Sequence, residues 1–166
     1  MGLAEIIETV ETVNELDERR REAFRAELEA HDGDPDEDGA FERTRAAVAD
    51  QREALAELET LLDAEADEID RLVEETSFLT VEQAVEHRER SVEKLEAHNE
   101  HLRSYHEAVT AALDAVETNL DALAADEELP ADPEPRFETA QAAVAAHNDA
   151  VEELDTSLTI LNAYLV

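Results

Sequence analysis

Residues 40–129 contain neither glycine nor proline. A sheet protein of this length needs many turns, and turns depend largely on those two residues. Aromatic residues are few and tryptophan is absent, so a core has to be built from Leu, Val, Ile and Ala. Long uninterrupted helices meet both conditions, and we therefore predict an all-α fold.

Apolar residues recur every seven positions within this stretch. Val48, Leu55, Leu62 and Ile69 form the most regular line. A strict seven-residue repeat keeps an apolar stripe aligned with a neighbouring helix and produces a left-handed supercoil. Extended over the chain, the periodicity predicts one helical domain, 1–166, with four helices. The predicted helices are about 3–31, 40–76, 81–125 and 136–165, and the predicted acidic loops are 32–39 and 126–135.

Two local patterns refine the last two helices. Thr80 and Gln83 have the spacing of a capping box, which predicts that the Thr80 hydroxyl caps the third helix. In the fourth helix, the residues expected to face the core are Phe137, Val144, Val151, Leu158 and Leu165, which lie seven apart, with Leu154 and Leu161 between them. A helix buried along that line would present its mostly polar remaining residues to solvent.

Two segments of 22 residues resemble each other within the chain. Residues 41–62 and 137–158 share eleven identical positions at an offset of 96 residues, and each follows an acidic loop that contains proline. This repeat predicts a duplicated helical hairpin, which gives an antiparallel up-down-up-down four-helix bundle or coiled coil. The alternative is that both segments converge because they obey the same heptad packing rule.

The charge balance is strongly acidic, with 46 Asp and Glu against 13 Lys and Arg and a formal net charge of −33. Self-repulsion opposes a compact fold, and molar salt removes most of it by shortening the Debye length to about 3 Å. Lys94 is the single lysine. Abundant carboxylates with almost no lysine resemble the composition of cytoplasmic proteins from halophilic archaea, although composition identifies no family. The alternative is an acidic surface that imitates DNA phosphates and occupies a DNA-binding protein.

The sequence also disfavours several classes of function. Without a basic stripe, direct binding to nucleic acid or to an anionic membrane is not expected. The densest cationic run, Arg19–Arg21, has acidic neighbours and is expected to form a solvated helix face. Cysteine, a phosphate-binding glycine loop and a nucleophile elbow are all missing, so we predict neither an enzyme nor a cofactor. No secretory signal or membrane-spanning segment is recognised, and a cytoplasmic protein is expected.

Polar pairs recur three and four residues after an apolar core position. The pairs are Gln51 and Arg52, His98 and Asn99, and His147 and Asn148. A polar residue at such a position fixes the register of packed helices at some cost in stability. We favour this interpretation for the histidines.

The alternative for the histidines is a metal or small-ligand site. Its candidate ligands are His98, Asn99, His101, His147 and Asn148. Di-metal helical bundles use a Glu-x-x-His pattern and zinc proteases use H-E-x-x-H, and neither pattern occurs in this sequence. We therefore predict no metal site.

One end of the predicted bundle is unusually apolar. In an up-down-up-down topology, the short connection between the second and third helices lies at the same end as both chain termini. One interpretation is that these residues cap the bundle's own core, with Phe78 folded beneath the termini. The other is that they stay exposed and dock a partner. The anchors for docking would be Phe78, Leu79, Tyr164 and Val166.

Three functional interpretations follow from these patterns. The favoured one is a non-catalytic scaffold or adaptor that acts through protein–protein contacts, with a partner or as a homodimer, in a high-salt cytoplasm. The second is an acidic DNA-mimic decoy for a DNA-binding protein. The third is a metal or small-ligand site formed by the histidine and asparagine pairs.

Overall fold

The computed structural model describes residues 2–31 and 40–166. Within these residues the chain forms four α-helices and no β-strand. The helices are α1 (Leu3–Ala30), α2 (Glu42–Glu75), α3 (Glu82–Ala124) and α4 (Glu134–Leu165). The all-α prediction is confirmed, each helix bound lies within two residues of its predicted position, and α3 is continuous over 43 residues. The predicted loop 32–39 lies outside the described residues.

Local backbone chemistry explains where α2 and α4 begin. Phe41 precedes α2 in a left-handed conformation, with φ 59°, and its buried ring stacks on Phe24 at a centroid distance of 6.0 Å. α4 begins at Glu134, two residues before its predicted start, and so includes Pro135 in its first turn. Proline is tolerated there because the first turn of a helix has no partner for the missing N–H.

The predicted capping box of α3 is wrong. α3 begins at Glu82 after Val81, and no side chain forms a capping hydrogen bond there. An N-cap residue directly precedes the first helical residue, so Thr80 lies one position too early for this role.

Consecutive helices pack against each other as antiparallel neighbours. Arg52 pairs with Asp114, whereas the later residue Asp63 pairs with the earlier residue Arg103, so the contacts run in opposite directions along α2 and α3. The contacts of α1 with α2 and of α3 with α4 follow the same rule. In the described residues, α1 and α4 have no pair of Cα atoms within 8 Å. Those two helices meet through longer side chains.

The seven-residue line of α2 lies at the centre of the core. Val48, Leu55, Leu62 and Ile69 are each no more than 5% exposed. The first three belong to one apolar cluster with residues of α1, α3 and α4, among them Leu102. Full burial of an aliphatic side chain contributes about 1.5–3 kcal/mol, so this line is a major source of stability.

The buried line of α4 matches the prediction in part, because Leu154 and Leu161 belong to it while the predicted seven-residue line from Phe137 does not. The buried line consists of Ala140, His147, Leu154 and Leu161, each at most 3% exposed. On the predicted line, Phe137 is buried, Val144, Val151 and Leu158 are half-buried, and Leu165 is 39% exposed. Both lines are mostly apolar, and periodicity alone does not distinguish the centre of a buried face from its edge.

Candidate functional site

A buried group of ionisable side chains, which we call the histidine cluster, joins three helices. Glu65 of α2, His98 of α3 and His147 of α4 are each at most 3% exposed. His98 Nδ1 lies 2.9 Å from Glu65 Oε1, at ion-pair distance but without the alignment of a hydrogen bond. The centroids of the His98 and His147 rings are 4.5 Å apart. The cluster therefore places two imidazoles and a carboxylate inside the protein.

Asn99 holds the carboxylate of this cluster in place. Its Nδ2 donates hydrogen bonds to Leu62 O at 2.9 Å and to Glu65 Oε2 at 2.8 Å. Its Oδ1 accepts a hydrogen bond from Arg103 Nε at 2.8 Å, and Arg103 Nη2 donates to Asp63 Oδ1 at 2.8 Å. A chain of hydrogen bonds thus runs from the buried Glu65 to the surface of α2 and α3.

His147 is electrically neutral at pH 7. Burial lowers the pKa of His147 from its usual 6.5 to about 4, because an imidazolium loses its hydration inside the protein. The nearby His98 and His101 lower this pKa further by repulsion, whereas the negative charge of Glu65 opposes them. A proton is consequently costly to add at His147.

The structure brings together only part of the predicted metal-site residues. His98 and His147 are in ring contact and Asn99 is buried beside them, but His101 is half-buried and Asn148 is exposed. Residues 2–31 and 40–166 contain no group of three or more His, Cys, Asp or Glu that could hold a metal ion. The buried members occupy packing positions between helices, where a polar side chain constrains register.

A second polar group, the arginine cluster, was missed by the sequence interpretation. Arg20 was expected on a solvated face, but it is only 3% exposed, so that prediction is wrong for this residue. Its Nη1 donates to Gln51 Oε1 at 2.7 Å, and its Nη2 lies 2.7 Å from Asp17 Oδ1. The guanidinium carbon lies 4.6 Å from the centroid of the Phe137 ring. The cluster consists of Asp17, Arg20 and Gln51.

A sequence signal for the buried Arg20 does exist. Ile6, Val13 and Arg20 lie seven residues apart, and the first two are buried at 1% each. Arg20 thus continues the core line of α1, and a buried arginine is tolerated there because a carboxylate and an amide satisfy its donors. Burial lowers the pKa of Arg20 from its usual value, and the neighbouring Asp17 opposes that shift.

The arginine cluster borders an open cleft of about 520 Å³ between α1 and α4. Tyr105, which is 2% exposed, forms part of the cleft floor, and its hydroxyl donates a hydrogen bond to Asn14 Oδ1 at 3.0 Å. Burial raises the pKa of Tyr105 above its usual value, so the hydroxyl keeps its proton. Asn148 lines the same cleft.

Apolar side chains are exposed around the turn between α2 and α3 and at the end of α4. Phe78 is 66% exposed and Tyr164 is 39% exposed, Val166 is exposed, and Leu79 is half-buried. The ring of Tyr164 stacks on His87, near the start of α3, at a centroid distance of 5.6 Å. The two regions therefore lie at the same end of the molecule, which we call the apolar end. Phe78 does not fold beneath the termini.

Comparison with protein-family models, with curated proteins and with solved structures finds no match for this chain. In the part of the chain that the structure describes, no helix has an apolar stretch long enough to cross a membrane.

The lowered pKa of His147 makes the stability of the fold depend on pH. Between pH 6.5 and about 4, the unfolded chain binds a proton at His147 that the folded chain excludes, so acid favours unfolding. The full shift is equivalent to about 3 kcal/mol, lost as pH falls through this window. Urea unfolding at a series of pH values in molar KCl measures this loss.

Because other groups also titrate in this window, the quantity to compare is the difference between variants. In His147→Gln, most of the acid-induced loss in the free energy of unfolding is expected to disappear. Asn148→Gln, at the exposed neighbouring position, is expected to keep the wild-type dependence of the free energy of unfolding on pH. Parallel profiles for wild type and His147→Gln would contradict the assignment.

Arg20 provides a second stability test with a matched neighbour. Arg20→Ala removes the guanidinium that satisfies Gln51 and Asp17 inside the protein, and breaking such a buried pair costs about 3 kcal/mol or more. Arg19→Ala, on the exposed side of the same helix, is expected to change the free energy of unfolding by no more than about 0.5 kcal/mol. Urea unfolding of both variants measures the difference, and equal effects would show that Arg20 is solvated.

Proposed function

We propose that the protein is a non-catalytic helical-bundle scaffold or adaptor that acts through protein–protein contacts in a high-salt cytoplasm. The observation that carries this proposal is the apolar end, where Phe78 is 66% exposed and Val81 is 64% exposed. Large apolar side chains exposed together on a soluble protein usually mark a surface that another molecule covers. Phe78, Leu79, Tyr164 and Val166 are the proposed anchors.

The proposed architecture is an up-down-up-down four-helix bundle built from a duplicated hairpin. Equivalent positions of the repeat support this view, because Gln51 and His147, 96 residues apart, are both buried. Each contacts a buried basic side chain of the preceding helix, Arg20 for Gln51 and His98 for His147. Convergence under a common packing rule would explain matching apolar residues more easily than matching buried polar contacts.

The proposed high-salt setting follows from the surface charge. With a formal net charge of −33, the folded chain is opposed by repulsion that dilute buffer leaves unscreened. At 1 M salt the Debye length is about 3 Å, so only charges in direct contact still interact strongly. A halophilic, archaeal origin fits this requirement together with the near-absence of lysine.

The same charge supports the alternative of an acidic decoy that occupies a DNA-binding protein. The two proposals predict opposite responses to salt. Decoy binding depends on attraction between charges and collapses as salt rises, whereas docking through the apolar end holds or strengthens. Binding of any captured partner, measured at low and at molar KCl, therefore separates them.

The self-association form of the docking proposal is tested with the chain alone. Wild-type protein in molar KCl is expected to form dimers as its concentration rises, and Phe78→Glu is expected to weaken this association by about tenfold or more, because a charged group replaces a central apolar anchor. Leu129→Glu is the matched control, since Leu129 is also exposed, at 55%, and lies in the α3–α4 loop. Sedimentation velocity measures all three proteins.

If the wild type stays monomeric at every concentration, the homodimer is excluded and the docking surface requires a different protein. If Phe78→Glu and Leu129→Glu weaken dimerisation equally, association does not involve the apolar end.

A further inference from the structure

The side of the molecule where α1 faces α4 is built differently from the three contacts between consecutive helices. No Cα atoms of α1 and α4 approach within 8 Å in the described residues, whereas closely packed helices have axes only about 8–10 Å apart. The two helices are joined instead by side chains, with Arg21 Nη1 3.8 Å from Glu134 Oε2 and both Arg20 and Arg21 over the Phe137 ring. On this side, α1 and α4 are therefore connected by side chains, and their backbones are not closely packed.

Two clefts lie along this side, and Arg21 and Phe137 line both of them. The larger, which we call the polar cleft, has a volume of about 520 Å³ and carries the exposed amides of Asn14, Gln141 and Asn148 above a partly apolar floor. The smaller, the apolar cleft, has a volume of about 260 Å³. Its lining includes the apolar side chains Phe24, Val116, Leu120 and Leu129.

The volumes and the lining together define what fits. Clefts that bind small ligands usually measure about 300–1,000 Å³ and combine an apolar lining with a few polar groups that fix orientation. The amides of the polar cleft offer both hydrogen-bond donors and acceptors to a polar head, and the neighbouring apolar cleft offers space to a short apolar tail. An amphiphile is the class of molecule that uses both compartments.

The charges at the clefts select an uncharged head. Asp17 lies 2.7 Å from Arg20 Nη2 and accepts from Arg21 Nε at 2.9 Å, and Arg21 also faces Glu134. Both guanidiniums are thus matched by carboxylates of the protein, which leaves no positive group to bind an anion. An anionic ligand would also be repelled by the formal net charge of −33.

From this geometry we propose that the paired clefts between α1 and α4 bind an uncharged amphiphilic small molecule, with its hydroxyl- or amide-bearing head in the polar cleft. This site is separate from the apolar end, where Phe78 and Tyr164 lie, and it does not depend on the proposed docking function. A ligand bound here would contact both α1 and α4 and would fill the space between their backbones.

The test uses octyl glucoside, a neutral molecule with a sugar head and an eight-carbon tail, below its critical micelle concentration in molar KCl. Methyl NMR spectra are expected to show saturable shifts for Val109 and Val144, which line the polar cleft. Ala145→Trp, at an exposed position that lines this cleft, is expected to weaken binding by about tenfold or more by filling the space. Ala142→Trp, exposed on the same helix outside the cleft lining, is expected to bind as the wild type does.

Three results would overturn the proposal. These are shifts that do not saturate, shifts confined to methyl groups of the apolar end such as Val81, and equal binding by the Ala145→Trp and Ala142→Trp variants. Phe78→Glu is expected to bind octyl glucoside normally, so failure of the cleft proposal and failure of the docking proposal give different results.

Discussion

The packing of buried apolar side chains of α2 against those of α3 is the interaction on which the rest of the structure depends. Leu58 of α2 and Leu102 of α3 are completely buried in a cluster to which all four helices contribute. Burial of apolar area is the largest favourable term in folding, and here it has to outweigh the repulsion of a formal −33 charge. Because the carboxylates lie mostly on outward faces, salt weakens the opposing term and leaves the apolar packing in place.

The polar side chains inside this core specify how the helices align. Arg20 bonds to Gln51 across α1 and α2, and Glu65, His98 and His147 meet across α2, α3 and α4. A shift of seven residues, about two helix turns, would separate these groups while they remain buried, and an unpaired buried polar group costs about 1–3 kcal/mol. The apolar lines alone would tolerate such a shift more easily, since each repeats every seven residues. The polar clusters thus contribute specificity of register.

The sequence predicted the helix class and helix bounds because a long stretch without glycine or proline and a strict heptad line leave few alternatives. It also placed His98, Asn99 and Gln51 beside the core, where they are buried. It failed for Arg20, because acidic neighbours outweighed the seven-residue spacing that continues the core line of α1. In α4 it included the buried Leu154 and Leu161 but centred the stripe on the line from Phe137 to Leu165, since two adjacent apolar lines compete and only packing against α3 selects one. Glu65 was missed although it lies seven residues after Leu58 and seven before Leu72, because a carboxylate in a chain with 46 acidic residues was expected to be solvated.

Native-state hydrogen exchange in molar KCl tests most directly the claim that the apolar packing of α2 against α3 holds the molecule together. The account predicts that the amides around Leu58 and Leu102 exchange most slowly, with an opening free energy close to the free energy of global unfolding. The amides of the loop between α3 and α4 are expected to exchange quickly. If the amides around Leu58 and Leu102 exchange as fast as those of this loop, the packing described here does not stabilise the protein.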